Sequence, residues 1–366
     1  MSNRVRSAIR ALASDSLQAA PTALWRRLAP KSCVSVCYHL VAQARPSHLK
    51  HYAVLDPVAF EADLDYLDRH NGFIDYADLV ERRSMTSPPR DNRVLLTFDD
   101  GFSECATIIA PILKRRAVSG VFFLITDLID NQALFRENKA ALCIDRVLTT
   151  PMDVVAAITA ELGLTTVRAQ ASSQPLFGHI SKSALELAAL EASDPRLWPL
   201  LDWLLTEASN RTEALDALCE RLGVQPDAYL AAAKPYLTRE QILELHADGF
   251  TIGAHSCTHR QLSDLSPEEA EREIVESCRA VQAITGQEKV PFAFPYFGGW
   301  LDRRWLAALR DRHPVIGLFF DADGLREDEP FIVQRVFGER FTRDSTLELI
   351  LRRAWGRPAA WKRRVS

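Results

Sequence analysis

A chain of 366 residues, 47% apolar and 25% charged, is long enough for a large buried core, and its formal charge of −4 excludes the basic footprint of a nucleic-acid binder. The seven cysteines are odd in number and scattered, with no CxxC pair, so they read as buried thiols of a reducing compartment and not as a disulfide framework. Cys33 and Cys37 fall on one strand face, too far apart to share an ion, and Cys257 reads as a packing residue.

In chain order, residues 1–30 form a basic amphipathic helical segment. Arg10, Asp15 and Gln18 interrupt the apolar run that a signal peptide or membrane span requires. The expected location is cytoplasmic, with peripheral contact at the inner membrane face as the sharper alternative to an ordinary surface helix. Residues 34–39 read as a first strand, and Asp56-Pro57 opens a helix with aspartate as N-cap and proline at the first helical position. The continuous apolar run 94–98 has the character of a buried parallel strand; 103–116 reads as helix and 120–125 as the next strand. The segment 131–235 breaks this rhythm. It is rich in Ala, Leu and Glu at helical spacing, as in Leu185, Leu187 and Leu190 or Ala214, Leu215, Leu218 and Leu222, and reads as an all-helical insertion. Its aromatic-apolar stretch 197–205 is expected to be the insertion's own core, with a lid or a homo-oligomer face as alternatives.

The rhythm then resumes. Thr238 and Gln241 form a capping box for a helix over 238–248 that Gly249 ends. A strand follows at 251–254, a helix from Ser266-Pro267, a strand at 291–295, a helix at 302–312, strands at 315–320 and 331–337, and a closing helix at 346–355. Alternation of this length implies right-handed βαβ units around a parallel sheet or barrel. The expected organisation is the 1–30 segment, a barrel over 31–340 interrupted by the 131–235 insertion, and a C-terminal helix with basic tail over 341–366.

Two motifs carry the chemistry. Asp99 and Asp100, in Thr97-Phe98-Asp99-Asp100-Gly101, are adjacent carboxylates at a strand end, costly unless a cation or a shared proton relieves them. Successive strand residues point to opposite faces, so both reach one site only where the chain leaves the strand, a freedom that Gly101 supplies. His255 and His259, in His255-Ser256-Cys257-Thr258-His259, follow another short apolar strand, and two imidazoles four residues apart can face one ion. A carboxylate with two histidines leaves positions open for water, as a catalytic zinc site requires.

Together with Pro291-Phe-Ala-Phe-Pro295-Tyr296-Phe-Gly-Gly299, these motifs resemble the polysaccharide deacetylase family, the NodB-homology domain of carbohydrate esterase family 4, over roughly 34–126 and 236–340. The resemblance implies an α/β fold, a distorted (β/α)7-type barrel, here with an all-helical insertion, and a metal-dependent deacetylase. It implies Asp99 as general base and Asp100, His255 and His259 as ligands of a divalent metal, zinc first, with nickel or cobalt as alternatives. It further implies the backbone N–H of Tyr296 as oxyanion donor. Where the family places an arginine that orients the base, this chain has Ala293, and Arg335 is the candidate substitute. Tyr38-His39 resembles the Tyr-His motif of the exopolysaccharide-modifying branch, which makes His39 the candidate general acid. Phe297 and Trp300 flank Gly298-Gly299 as substrate-binding candidates, Trp300 for stacking on a sugar; a packed loop aromatic is the plainer reading. Asp321 and Asp323 read as a turn between strands, not as a metal loop.

The expected substrate is an N-acetylated sugar or a lipid- or nucleotide-linked glycan precursor, with no nucleic-acid partner. The alternatives are a C–N amidohydrolase or deformylase acting on a small molecule, and a non-catalytic relative that binds sugar or a partner protein.

Overall fold

The computed structural model describes residues 33–86, 91–164, 194–322, 328–339 and 346–355. The expectations for 1–30, 185–190, Asp323 and 356–366 fall outside them.

Seven parallel strands close into one barrel: β1 (Val34–Tyr38), β2 (Val94–Phe98), β3 (Gly120–Leu124), β4 (Thr251–Ala254), β5 (Val290–Ala293), β6 (Ile316–Asp321) and β7 (Ile332–Phe337). They pair in sequence order, and β1 closes the ring against β7 with Val36 opposite Val336. Most of the strands are almost unbroken apolar runs because both faces are covered; β7 instead carries Gln334 and Arg335 at its centre. Leu96, Phe98, Phe122, Ile252, Phe292 and Phe319 share one core with Ile109, Leu113, Ile274 and Leu306 of the surrounding helices. The alternate positions, Leu95, Val121, Phe123, Ala293, Phe320 and Val333, form a second cluster on the opposite, inward face.

The connections follow local rules. After β1, α1 (Pro57–His70) is capped by Asp56, whose carboxylate accepts from the Val58 N–H at 2.8 Å, and α2 (Tyr76–Ser84) by Asp75. After β2 the expected single helix is a π turn over Cys105–Ile109 running into α3 (Ala110–Arg115); a proline at 111 has no N–H to continue a regular ladder. Between β3 and β4 the described chain is helical: α4 (Arg136–Val147), α5 (Met152–Glu161), α6 (Trp198–Thr206), α7 (Thr212–Leu222) and α8 (Pro226–Ala233). Leu197, Leu200, Leu201, Trp203 and Leu204 pack with Cys143, Ile144, Val155, Leu215 and Leu218 into a separate core, so the stretch 197–205 buries its apolar face within the insertion. The capping box of Thr238 and Gln241 starts α9 (Arg239–Ala247), and Ser266 with Glu269 forms another at α10 (Pro267–Thr285). The remaining helices are α11 (Arg303–Arg312), capped by Asp302, and α12 (Leu347–Trp355). Among the described residues, no helix is long and apolar enough to cross a membrane.

Candidate active site at the C-terminal rim of the barrel

The carboxyl ends of parallel barrel strands are where side chains from different strands converge. Here His39 follows β1, Asp99 and Asp100 follow β2, His255 follows β4, Tyr296 lies just past β5, and Glu339 follows β7. Asp99 continues the inward-facing register of β2, and its N–H donates to the Tyr38 carbonyl at 2.9 Å. Asp100 and Gly101 then both adopt positive φ, 72° and 70°, which swings the second carboxylate to the same side as the first. Ser256, His259 and Tyr296 also have positive φ (63°, 59° and 58°). Non-glycine residues in this region are held there against a local energetic preference, and such strain gathers at functional sites.

The His255–His259 turn is built from both ends. The His255 N–H donates to the Leu124 carbonyl at 2.7 Å, and the Ser256 hydroxyl oxygen accepts from the His259 N–H at 2.8 Å. Glu273 of α10 clamps the middle: its Oε2 accepts from the Cys257 and Thr258 N–H groups, each at 2.9 Å, and its Oε1 from the Thr258 hydroxyl at 2.6 Å. Glu273 lies on the apolar stripe of Ala270, Ile274, Cys278 and Val281. A charged residue on a buried stripe is a signal readable from sequence alone.

The structure brings Asp100, His255 and His259 together. His255 Nδ1 lies 2.9 Å from the Ala293 carbonyl, which makes Nδ1 the protonated nitrogen and leaves the Nε2 lone pair facing the site. His255 Nε2 and His259 Nε2 are 3.2 Å apart, and they lie 3.5 and 3.6 Å from Asp100 Oδ1. That oxygen is buried with no hydrogen-bond partner, while Tyr52 Oη donates to Asp100 Oδ2 at 2.7 Å. Donors around a tetrahedral zinc with bonds of ~2.0–2.2 Å are separated by about 3.3–3.6 Å, so this donor set fits a divalent cation in both chemistry and spacing. Burial raises the Asp100 pKa; burial, with His255 and His39 nearby, lowers that of His259 well below its ordinary value. Both directions describe groups that gain from a cation. A second cluster, Cys37, His39 and Asp99, suits an ion poorly because its carboxylate is already engaged by an arginine.

That arginine is Arg335. From inside β7 its Nη1 and Nη2 donate to Asp99 Oδ1 and Oδ2 at 2.7 and 2.8 Å, a bidentate pair with both side chains buried. The guanidinium also lies over the Phe123 ring, 5.4 Å from its centroid. Burial opposes ionisation of Asp99, but Arg335, His255 and His39 outweigh it and hold the carboxyl well below the usual carboxylate range. The cation that β5 lacks at Ala293 therefore arrives from β7.

His39 stands across the cavity with Nδ1 2.8 Å from Glu339 Oε1, and the same oxygen accepts from the His39 backbone N–H. Burial lowers the His39 pKa, but Glu339, followed by Asp100 and Asp99, reverses this and raises it from 6.5 to about 9. His39, Tyr52, Asp99, Phe135, Glu137, His255, His259, Tyr296 and Arg335 are among the residues lining a cavity of about 40 Å³. Tyr296 Oη donates to Glu137 Oε1 at 2.7 Å, which ties α4 of the insertion to the site. The Phe297 and Trp300 ring centroids are 6.3 Å apart, neither residue lines that cavity, and Trp300 is 68% exposed. Asp321 is buried at the end of β6, its Oδ1 accepting from the Gly298 N–H at 2.8 Å and its Oδ2 lying 3.3 Å from Arg303; it anchors the Gly298–Gly299 loop.

The family model described as polysaccharide deacetylase matches residues 86–158 and 206–312, which include Asp99, Asp100, His255, His259 and Tyr296. The chain belongs to the polysaccharide deacetylase family. This makes it a deacetylase-type hydrolase, although His39, Arg335 and Glu339 lie outside the matched residues. Among solved structures it is similar to the Streptococcus pyogenes deacetylase PplD in complex with acetate, at 14% identity over 89% of this chain and 99% of that one, with a TM-score of 0.52. It is also similar to IcaB from Ammonifex degensii, at 16% identity over 89% and 97% of the two chains, with a TM-score of 0.48. At 14% identity the first of these speaks to the shared fold alone.

Proposed function

We propose that this deacetylase hydrolyses an acyl group, acetyl first, from an N-acetylated sugar or glycan precursor with the help of a divalent cation. Asp100, His255 and His259 would hold the cation. When bound, it would polarise the acyl carbonyl and make water more acidic. Asp99 takes the proton of the attacking water. Its depressed pKa keeps it ionised at working pH but makes it a weak base, so it depends on water that is already acidified. Arg335 fixes both of its oxygens and so sets the direction of proton transfer. The Tyr296 backbone N–H is assigned to the oxyanion, where a preorganised donor is worth several kcal/mol. His39 protonates the departing amine from Nε2, since Glu339 occupies Nδ1. The observation that carries the reading is the convergence of three candidate ion donors beside the Arg335-paired carboxylate of Asp99 and the Glu339-paired ring of His39.

The small cavity, with Phe135 and Glu137 of the insertion in its wall, favours entry of one acyl head from a lipid- or nucleotide-linked or terminal sugar. The cysteines, all free thiols, fit action on a cytoplasmic precursor pool. The test is metal analysis of the purified protein together with acetate release from N-acetylglucosamine oligosaccharides. Asp99→Asn should keep the bound metal and lose at least 10³-fold in kcat. A protein that retains no divalent metal after exchange into zinc, nickel or cobalt, or an active Asp99→Asn variant, would refute the assignment.

A further inference from the structure

Glu137 is a carboxylate that the chemistry above does not use. It lies in the first turn of α4, outside the barrel, and is 6% exposed. It nevertheless lines the same cavity as His39, Asp99, His255 and His259. Oε1 is committed to the Tyr296 hydroxyl at 2.7 Å, with Arg136 Nη2 3.8 Å from it. Oε2 is buried without a hydrogen-bond partner. A buried carboxylate oxygen left unsatisfied carries its full desolvation penalty, so its persistence points to a partner that arrives from outside.

The position is also rigid. Tyr236 Oη accepts from the Phe135 N–H at 2.9 Å and from Asn138 Nδ2 at 3.0 Å, which fixes the residues on either side of Glu137. The surroundings leave no other task for Oε2: the flanking Asn138 amide is spent on Tyr236, and Tyr52 Oη is spent on Asp100. A carboxylate pinned by one oxygen, with the other open beside a hydrolytic centre, is built to accept a hydrogen bond from substrate.

We propose that Glu137 determines specificity by accepting, through Oε2, a hydrogen bond from a hydroxyl or N–H next to the scissile acyl group, as an N-acylated amino sugar presents. This rests on the deacetylase reading above. A site that hydrogen-bonds a substrate donor discriminates strongly against an analogue lacking it, because the protein's own group is then left unpaired. Glu137→Gln is the decisive change: its carbonyl still accepts from Tyr296 Oη, but an NH2 donor replaces Oε2.

The experiment measures kcat/KM of the metal-loaded full chain on two probes. One is an N-acetylglucosamine oligosaccharide; the other is 4-nitrophenyl acetate, which has an acyl group but no hydroxyl or N–H. The sugar-to-ester ratio should fall at least tenfold in Glu137→Gln, mainly through KM, and should fall likewise in Glu137→Ala, which removes the acceptor altogether. Because both rates come from the same folded protein, the ratio is insensitive to a loss of active fraction. An unchanged ratio in either variant would overturn the proposal. A wild-type chain active on the ester alone would overturn the amino-sugar class. A wild-type chain that releases acetate from neither probe would overturn the deacetylase reading and this inference with it.

Discussion

Glu339→Gln isolates one charge behind the proposed general acid. The His39 pKa stands at about 9 against an ordinary 6.5, a rise of about 2.5 units, or roughly 3 kcal/mol at 1.36 kcal/mol per unit. Burial, the largest influence on this histidine, pushes the other way, and Glu339 is the chief group opposing it. Glutamine keeps an oxygen for the His39 N–H but removes the charge, so the pKa should fall by about 2 units or more, to about 6.5–7. A general acid works only while protonated. In the wild type, kcat/KM for acetate release should therefore hold until pH rises through about 9; in the variant it should fall above about 7. At pH 8 the protonated fraction drops from about 0.9 to about 0.03–0.09, an expected loss of about 10–30-fold, whereas at pH 6 the loss should be under twofold. The assay is a pH–rate profile at fixed saturating metal, paired with an NMR titration of the His39 ring. The stability linkage has a matching sign. A folded-state pKa raised above the unfolded value contributes stability that is complete below about pH 6.5 and lost as pH rises through about 9. The melting difference between wild type and variant should shrink across that window. An alkaline limb that stays near 9 in Glu339→Gln, or an equal loss at pH 6 and pH 8, would refute the reasoning.

Two further outcomes test how the site is held. Glu273→Ala removes the acceptor of the Cys257 and Thr258 N–H groups and should weaken cation binding about 10–100-fold, read by competition with a chromophoric chelator; unchanged affinity would mean that the His255–His259 turn holds itself. Arg335→Met leaves Asp99 buried without its partner and should cost about 3–5 kcal/mol in denaturant unfolding. Because Asp99 now has a depressed pKa, that stability is present above about pH 4 and lost as pH falls, so the gap between wild type and variant should close in acid.

Much of the fold is legible in the residues taken alone, because its rules are local. Strands such as Val94–Phe98 and Gly120–Leu124 announce themselves as apolar runs, since a barrel strand is covered on both faces. Helix starts at Thr238 and Ser266 follow from residues three apart whose side chains and backbone satisfy one another. The candidate ion donors are legible for the same reason: Asp100 and His255 lie within two residues of the ends of β2 and β4, His259 lies on the turn that follows β4, and strand ends of a parallel barrel meet at one rim. The π turn at Cys105–Ile109 was not legible, since backbone irregularity leaves little trace in periodicity.

Tertiary structure decided which groups set the charge of Asp99 and His39, although Arg335 was already a candidate partner for Asp99 from sequence. Arg335 reaches Asp99 across 236 residues and Glu339 reaches His39 across 300, because β7 closes on β1, which itself pairs with β2. Tyr296 meets Glu137 across 159 residues, because the insertion folds back over the rim. Periodicity tells which face of an element is buried but not what it is buried against. Partners for buried charges are set by barrel closure, and so are the ionisation states on which the chemistry depends.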